Sequence, residues 1–168
     1  LSGVILLDSS SSLFVGRVVE ADRNEVCRLT RGVHEESIFN DIEFSENKFN
    51  GFFSNTLNDP KNYLGLKVER DGRILGCSYC MIGGYFIGED ARIVTVNTIC
   101  VDEPIRSSVL GGEVALKLVR GIEAWARSRD ADAVLFHVTS GKGLSGIDRF
   151  FRKLGITTLG GNYGVRLK

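Results

Sequence analysis

The sequence has 168 residues, enough for one domain of ordinary size with its own hydrophobic core. Hydrophobic residues make up 43% and charged residues 25%, a globular composition that argues against disorder. Lys plus Arg and Asp plus Glu both number 21, so the basic surplus expected of a protein that neutralises nucleic-acid phosphates is absent. We therefore expect no nucleic-acid partner.

The chain opens with a short apolar run and a cluster of serines, LSGVILLDSSSS. This run lacks the basic flank of a secretion signal and holds only about five apolar residues in a row. No segment approaches the roughly 18 apolar residues of a transmembrane helix, so no membrane contact is predicted. We interpret residues 1–14 as a tail or an extra strand of a single domain that spans 1–168. What preceded Leu1 stays open.

The next segments predict one strand and two helices. Residues 15–20 read as a strand, and Asp22 is placed to cap the helix that follows it. Val26, Leu29 and Val33 recur at helical spacing in that helix. A second helix is predicted from Ser45, with four apolar side chains on one side: Phe49, Phe52, Phe53 and Leu57.

The middle of the chain changes to the period of β-strands. Residues 63–69 alternate, Asp71 and Gly72 form a hairpin turn signal, and residues 73–82 continue as a strand. After a glycine pair, two aromatic residues and a polar turn, residues 91–101 form a β-branched run. The pattern predicts a three-stranded antiparallel meander.

The second half predicts a crossover helix flanked by strands. The helix covers about 112–129, residues 133–139 form an apolar strand, 147–154 a short amphipathic helix and 163–167 a last strand. One apolar stripe marks the long helix: Val114, Leu118, Ile122 and Trp125. The order βααβββαβαβ indicates an α/β protein with a mostly antiparallel first half.

Four cysteines raise the question of a metal or redox site. Cys77 and Cys80 have CxxC spacing, but the other candidate ligands are not paired at ligand spacing: Cys27, Cys100, His34 and His137. A redox CxxC is expected at a helix N-terminus, whereas this one lies in an apolar β-like run. We predict buried, reduced core thiols, no metal, and a reducing compartment such as the cytoplasm.

The loop VDEPIRSSVLGG, residues 101–112, follows a strand and opens a helix. Backbone N–H groups at a helix start lack intrahelical partners, and the helix dipole adds positive potential, so such a place binds phosphate. Arg106 adds a charge, Ser107 and Ser108 add hydroxyls, and Gly111 and Gly112 remove side chains where a ligand approaches. Taken alone, the loop favours an ordinary strand-to-helix turn over a phosphate site.

From residue 63 to residue 167 the sequence resembles the GNAT superfamily of N-acetyltransferases. Three stretches carry the resemblance: ICVDEPIRSSVLGG, EAWARSRDADAVLFHV and DRFFRKLGI. It implies a GNAT fold, with a mixed central sheet, an antiparallel first half and helices on both faces. It also implies acetyl-CoA as co-substrate, bound at Ile99, Val101, Arg106, Ser107, Ser108, Val109, Leu110, Gly111 and Gly112.

The resemblance implies acetyl transfer by direct attack of an amine acceptor, but the chain departs from the family at several positions. Val109 replaces the first glycine of the loop pattern, and Pro104 falls one residue late. Phe151 stands where many members carry a tyrosine acid, and Asn97 or Thr98 where some carry a glutamate base. Tyr163 is therefore the candidate proton donor.

The alternative is a catalytically inactive structural or interaction protein of the same fold. The tail GLSGIDRFFRKLGITTLGGNYGVRLK resembles GNAT-like proteins encoded by bacteriophages, some of which are virion components. The alternative thus implies a virion location with other virion proteins as partners.

Two further features stay open: His137 is either structural or cleft-facing, and Tyr85 with Phe86 are either core residues or a border of the acceptor site. The polar run 34–36 is interpreted as a solvated helix face.

Overall fold

The computed structural model of the protein describes residues 12–138, 140–160, 164–165 and 167, and a five-stranded sheet is its framework. The strands are β1 (Phe14–Arg17), β2 (Tyr63–Arg70), β3 (Arg73–Gly84), β4 (Arg92–Val101) and β5 (Ala133–Phe136). Their spatial order follows the chain; β1 to β4 pair antiparallel, and β5 pairs parallel to β4. The predicted mixed sheet with an antiparallel first half is confirmed.

Four helices cover the two faces of the sheet: α1 (Arg23–Glu36), α2 (Glu46–Asn58), α3 (Val109–Ser128) and α4 (Leu144–Lys153). The first two helices pack on one face, and α3 packs on the other. The ring of Phe151 in α4 lies 4.9 Å from that of Phe136, which belongs to the α3 side. None of the described helices is long and apolar enough to cross a membrane.

The β2–β3 hairpin forms where the sequence predicts it. Asp71 and Gly72 both have left-handed backbone angles, with φ of 53° and 74°, and they connect the paired residues Arg70 and Arg73. Two consecutive left-handed residues give a turn whose twist matches that of the flanking strands. This explains why an Asp-Gly pair marks the hairpin.

The predicted apolar stripe of α3 faces the sheet. Val114, Leu118 and Ile122 are fully buried, and Trp125 is 8% exposed. Burial of each such aliphatic side chain contributes about 1.5–3 kcal/mol to stability. Gly76 in β3 lets the helix approach, because a Cβ atom there would lie 2.5 Å from Cγ1 of Val114.

The cysteines are free thiols, and the CxxC pair is split between the two faces of the sheet. Cys77 packs with α1 and α2 opposite Cys100, whereas Cys80 packs with α3. The hydrogen bond to Cys100 and burial raise the pKa of Cys77, and burial raises that of Cys80 to about 12. Cys27 is half-buried. The described residues contain no group of three or more side chains suited to holding a metal.

Several predicted boundaries were wrong by a few residues. The first strand ends at Arg17 rather than residue 20, because a short 3-10 turn occupies Glu20–Asp22. The strand after α3 ends at Phe136 rather than 139, and the last helix begins at Leu144 rather than 147. Of the predicted strand 163–167, residues 163 and 166 lie outside the described part, and the described residues 164, 165 and 167 are not in a strand.

Asp22 does precede α1, but it does not cap the helix with its side chain. Its carboxylate accepts from the backbone N–H of Val19 at 2.8 Å and from Nζ of Lys67 at 2.9 Å. Asp22 thus holds the predicted N-cap position, but its carboxylate turns back toward the preceding turn and β2 instead of accepting from the first turn of the helix. By contrast, Ser45, where the second helix is predicted to start, caps α2 by accepting from the N–H of Lys48 at 3.3 Å.

Candidate functional site

The sheet opens between β4 and β5. Residues 93–96 pair with residues 133–136, and His137 adds one longer bond of 3.4 Å from its N–H to the carbonyl of Val96. On the other side of β4, Thr98 pairs with Tyr79 and Val96 with Cys80, so Asn97 is an extra residue in the ladder. A bulge of this kind bends the strand and exposes backbone groups, and it marks the point where the two parallel strands part.

A cavity of about 500 Å³ occupies this opening and reaches both faces of the sheet. From the α1 face it is lined by Thr30, Val33, His34, Ser37 and Phe39. From the α3 and α4 face it is lined by Gly111, Gly112, Ala115, Val119, Gly146, Ile147, Phe150 and Phe151. Strand residues complete it: Val96, Asn97, Thr98, Ile99, Val101, Phe136, His137 and Val138, with Ser140 and Arg106 from loops.

Two loops meet beside the cavity. The backbone N–H of Ile38, just after α1, donates to the carbonyl of Ser140 at 3.0 Å. A Cβ atom on Gly141 would lie 2.3 Å from Cγ2 of Ile38, so this glycine permits the close approach. The contact joins the end of α1 to the segment after β5 and so links the two sides of the opening.

The start of α3 differs from the predicted helix boundary in a way that affects anion binding. The helix begins at Val109, three residues earlier than expected, because Ser108 caps it. The Ser108 hydroxyl accepts from the N–H of Gly111 at 3.2 Å and donates to the carbonyl of Ile105 at 2.6 Å. The N–H of Gly112 donates to the carbonyl of Ser108. Within the described residues, this leaves the N–H groups of Val109 and Leu110 without a partner and available to an anion.

The two glycines of the loop have different roles. A Cβ atom on Gly111 would lie 2.2 Å from the carbonyl oxygen of Ile105 and 2.9 Å from Cα of Arg106. Gly111 is therefore required by the packing of the chain on itself. A Cβ atom on Gly112 would point into open space, and Gly112 is exposed and lines the cavity. The predicted reason for a glycine here, that a missing side chain leaves room for a ligand, therefore applies to Gly112 and not to Gly111.

Arg106 lines the cavity, but its guanidinium already has partners. Nε and one terminal nitrogen donate to the carbonyl of Val101 at 3.2 Å, and the other terminal nitrogen forms an ion pair with Glu36 at the end of α1. Both side chains of the pair are roughly 40% exposed, at 39% and 42%. An incoming anion would thus share the guanidinium with a carboxylate.

Five of the residues predicted to hold the cofactor line the cavity: Ile99, Val101, Arg106, Gly111 and Gly112. The other four are the two residues before α3 and its first two residues: Ser107, Ser108, Val109 and Leu110. Of these four, Ser108 contributes its hydroxyl to the helix cap rather than to open space. Val109 is 83% exposed.

The candidate proton donor, Tyr163, lies outside the described residues. Phe151, which stands at the usual tyrosine position, does line the cavity. Asn97 is exposed at the bulge and also lines it. Tyr85 and Phe86 are 45% and 84% exposed in the β3–β4 connection, so the interpretation of this pair as core residues is wrong.

Both histidines line the cavity. His137 is exposed just beyond the end of β5, which favours the cleft-facing alternative. The interpretation of residues 34–36 as a solvated helix face is wrong for His34, which is half-buried and lines the cavity. The helical period shows that His34 shares one face with Thr30, Val33 and Ser37, the residue after α1, but it does not show what that face contacts.

No protein-family model and no curated protein matches the sequence. Several solved structures, however, match the fold of this chain. A glucosamine-6-phosphate N-acetyltransferase from Arabidopsis thaliana aligns with a TM-score of 0.70 at 12% identity, over 94% of this chain and 99% of that one. An acetyltransferase from Trypanosoma brucei aligns with a TM-score of 0.67 at 16% identity, over 93% and 100% of the two chains.

AAC(6')-Iy, solved with the bisubstrate analogue CoA-S-monomethyl-acetylneamine, aligns with a TM-score of 0.69 at 12% identity, over 94% of this chain and 99% of that one. These identities are low, so the likeness concerns the fold. The chain has the GNAT fold of these acetyltransferases, as the resemblance of its sequence implies.

Proposed function

We propose that the protein transfers an acetyl group from acetyl-CoA to an amine that attacks the thioester directly. The observation that carries this proposal is the cavity that passes through the opening between β4 and β5. A long thioester can enter from the α3 and α4 face while an amine enters from the α1 face. The presence of a CoA-containing analogue in one structure of the same fold supports the proposal.

The start of α3 supplies the features needed to hold a diphosphate. The free N–H groups of Val109 and Leu110 lie at the positive end of a 20-residue helix, which carries about half an elementary charge. Arg106 adds a full charge beside them. Further along, Ile99 and Val101 border the cavity where β4 no longer pairs with β5 within the described residues. Unpaired strand-edge groups can bind an extended ligand as a neighbouring strand would.

The chemistry requires no nucleophile from the protein. The amine nitrogen forms a bond to the acetyl carbon, the carbonyl oxygen gains negative charge, and the C–S bond then breaks to release the thiolate. A backbone N–H near the bulge at Asn97 is suited to stabilise the oxygen, because such donors are already oriented. The acetyl group and the amine react through proximity once both are held in the opening.

Glycine substitutions test the cofactor site. Gly112→Val should lower the affinity for acetyl-CoA at least tenfold, because its side chain would point into the cavity. Gly51→Val is the matched control, since Gly51 is also an exposed helical glycine with open space around its Cβ position. Calorimetric titration with acetyl-CoA measures both. Equal affinities in the two variants would show that the ligand does not lie beside Gly112.

Tyr163 is the proposed acid that protonates the departing thiolate. Phe151 has no hydroxyl, and a phenol with the ordinary pKa of about 10 stays protonated at neutral pH. Tyr163→Phe removes the hydroxyl and should slow acetylation about a hundredfold or more while the affinity for acetyl-CoA is retained. Steady-state rates measured beside calorimetric titration separate the two effects, and an unchanged rate would exclude this role.

A second candidate function is that of a catalytically inactive structural or interaction protein, placed in a phage particle rather than the cytoplasm. It is favoured by Phe151, whose ring packs against Phe136 at 4.9 Å in the place expected for an acid. The four free thiols fit a reducing compartment and so support the cytoplasmic alternative. Binding of acetyl-CoA without turnover on any amine would favour the inactive protein.

A further inference from the structure

We propose that His34 takes the proton from the attacking amine, an assignment that rests on the acetyl transfer proposed above. Neither Asn97 nor Thr98, at the family's glutamate position, can act as a base near neutral pH. Imidazole is the side chain that exchanges protons in this range. His34 reaches the cavity from α1, opposite the start of α3.

The hydrogen bond of the ring determines which nitrogen carries the proton. Nε2 of His34 lies 2.6 Å from the carbonyl oxygen of Ile42. A carbonyl oxygen accepts hydrogen bonds and cannot donate them, so Nε2 carries the hydrogen. In the neutral ring, Nδ1 then has a free lone pair. None of the described residues hydrogen-bonds to Nδ1, and this nitrogen is therefore available as a base.

The ring is also held in orientation. Its centroid lies 5.8 Å from that of Phe44, at an interplanar angle of 55°. The Ile42 carbonyl holds one side of the imidazole while Phe44 supports its face. A second group that fixes the tautomer and orientation of a histidine is the arrangement expected of a general base.

The proton transfer balances without any further reactant. As the amine nitrogen bonds to the acetyl carbon, an N–H proton passes to Nδ1 of His34, which becomes an imidazolium. The Ile42 carbonyl continues to accept from Nε2–H and stabilises the positive charge. The thiolate leaves with its electron pair and is protonated by Tyr163 or water, and His34 returns its proton to solvent.

The charged groups around His34 are largely neutralised in pairs. On α1, Arg31 pairs with Glu46 of α2 at 2.5 Å, and Glu36 pairs with Arg106 from the loop before α3. Three further charged residues lie nearby in sequence, Glu35, Asp41 and Glu43, and His137 lines the cavity from the end of β5. A pH profile must therefore be compared between variants rather than interpreted from the parent protein alone.

The test uses His34→Gln, with Glu35→Gln at the exposed neighbouring position of α1 as the matched control and His137→Gln as the competing assignment. Glutamine can still donate to the Ile42 carbonyl, but it offers no basic nitrogen. With acetyl-CoA and either aniline or benzylamine as acceptor, we expect His34→Gln to lower kcat about a hundredfold or more. Its affinity for acetyl-CoA and its melting temperature should match those of the parent. Glu35→Gln should keep most of the parent rate, because Glu35 is exposed and does not line the cavity.

The pH profile distinguishes a base from a structural side chain. Aniline is unprotonated near neutral pH, so a fall of the parent rate on mild acidification would report a base in the protein rather than the acceptor amine. In His34→Gln this acid limb should disappear, because the proposed base is gone. The assignment is wrong if His34→Gln keeps both the acid limb and the parent rate. It is also wrong if His137→Gln, rather than His34→Gln, loses both.

Nitrogen NMR of the two histidines supplies a readout that needs no turnover, since the chain contains only two. We expect the neutral ring of His34 to carry its hydrogen on Nε2, and the opposite tautomer would overturn the proposal. A parent protein that acetylates neither amine would overturn acetyl transfer to these amines and, with it, the role of His34. If the parent acetylates the amines and His34→Gln acetylates them at the same rate, only the role of His34 is overturned.

Discussion

At the scale of single residues, the contact between Glu36 and Arg106 sets how much positive charge the cavity presents. Arg106 is the charged side chain beside the free N–H groups of α3, and Glu36 occupies part of its guanidinium. The two residues are 70 positions apart in the chain. An anion that binds here must compete with a carboxylate that belongs to the protein itself.

Glu36→Gln should therefore raise the affinity for acetyl-CoA. The pair is partly exposed, and such pairs contribute about 0.2–1 kcal/mol, so we expect a gain of about two- to fivefold. Glu35→Gln removes the same charge from an exposed neighbouring position and serves as the control. Calorimetric titrations at two salt concentrations measure the effect. If the affinity for acetyl-CoA rises equally in both variants, the loss of one negative charge at either position explains the result, rather than the release of Arg106.

At the scale of elements, the first turn of α3 holds the proposed phosphate site in shape. Ser108 joins the loop to the helix through two hydrogen bonds, one with Gly111 and one with Ile105. Gly111 packs against the backbone of Ile105 and Arg106 with no room for a side chain. The free N–H groups of Val109 and Leu110 are presented by this tight turn.

Ser108→Ala should lower the free energy of unfolding by about 1 kcal/mol, because the helix loses its N-cap. It should also weaken acetyl-CoA binding, since the N–H of Gly111 loses its acceptor and the turn loosens. Ser107→Ala is the matched control, because Ser107 is exposed and does not cap the helix. Urea unfolding monitored by circular dichroism compares them, and equal midpoints would contradict the role of the cap.

At the scale of the whole molecule, the two faces of the sheet meet through one opening. The α3 face packs the larger apolar cluster, whereas the α1 and α2 face packs a second cluster around Cys77 and Cys100. The cavity interrupts this separation where β4 and β5 part, and it brings His34 from one face and Gly112 from the other to one space. The contact between Ile38 and Ser140 links the segments on either side.

The sequence by itself determined the five strands of the sheet and the four helices in their order, within a few residues, and the hairpin at Asp71 and Gly72, but not the last strand it predicted at 163–167. Each of these features depends on local periodicity or on turn residues, so it can be recognised from the sequence of that strand, helix or turn alone. The stripe from Val114 to Trp125 identified the buried face of α3 for the same reason. The loop around Arg106 was found as well, since a strand, polar residues and a helix start follow one another directly.

Tertiary structure alone decided which of these residues meet. The pair of Glu36 with Arg106 and the approach of His34 to the cavity require α1 to pack beside the end of β4, which no local pattern encodes. The different roles of Gly111 and Gly112 likewise depend on where the preceding loop folds back. Long-range packing selects one arrangement among many that local periodicity allows, and the candidate site is assembled by that packing.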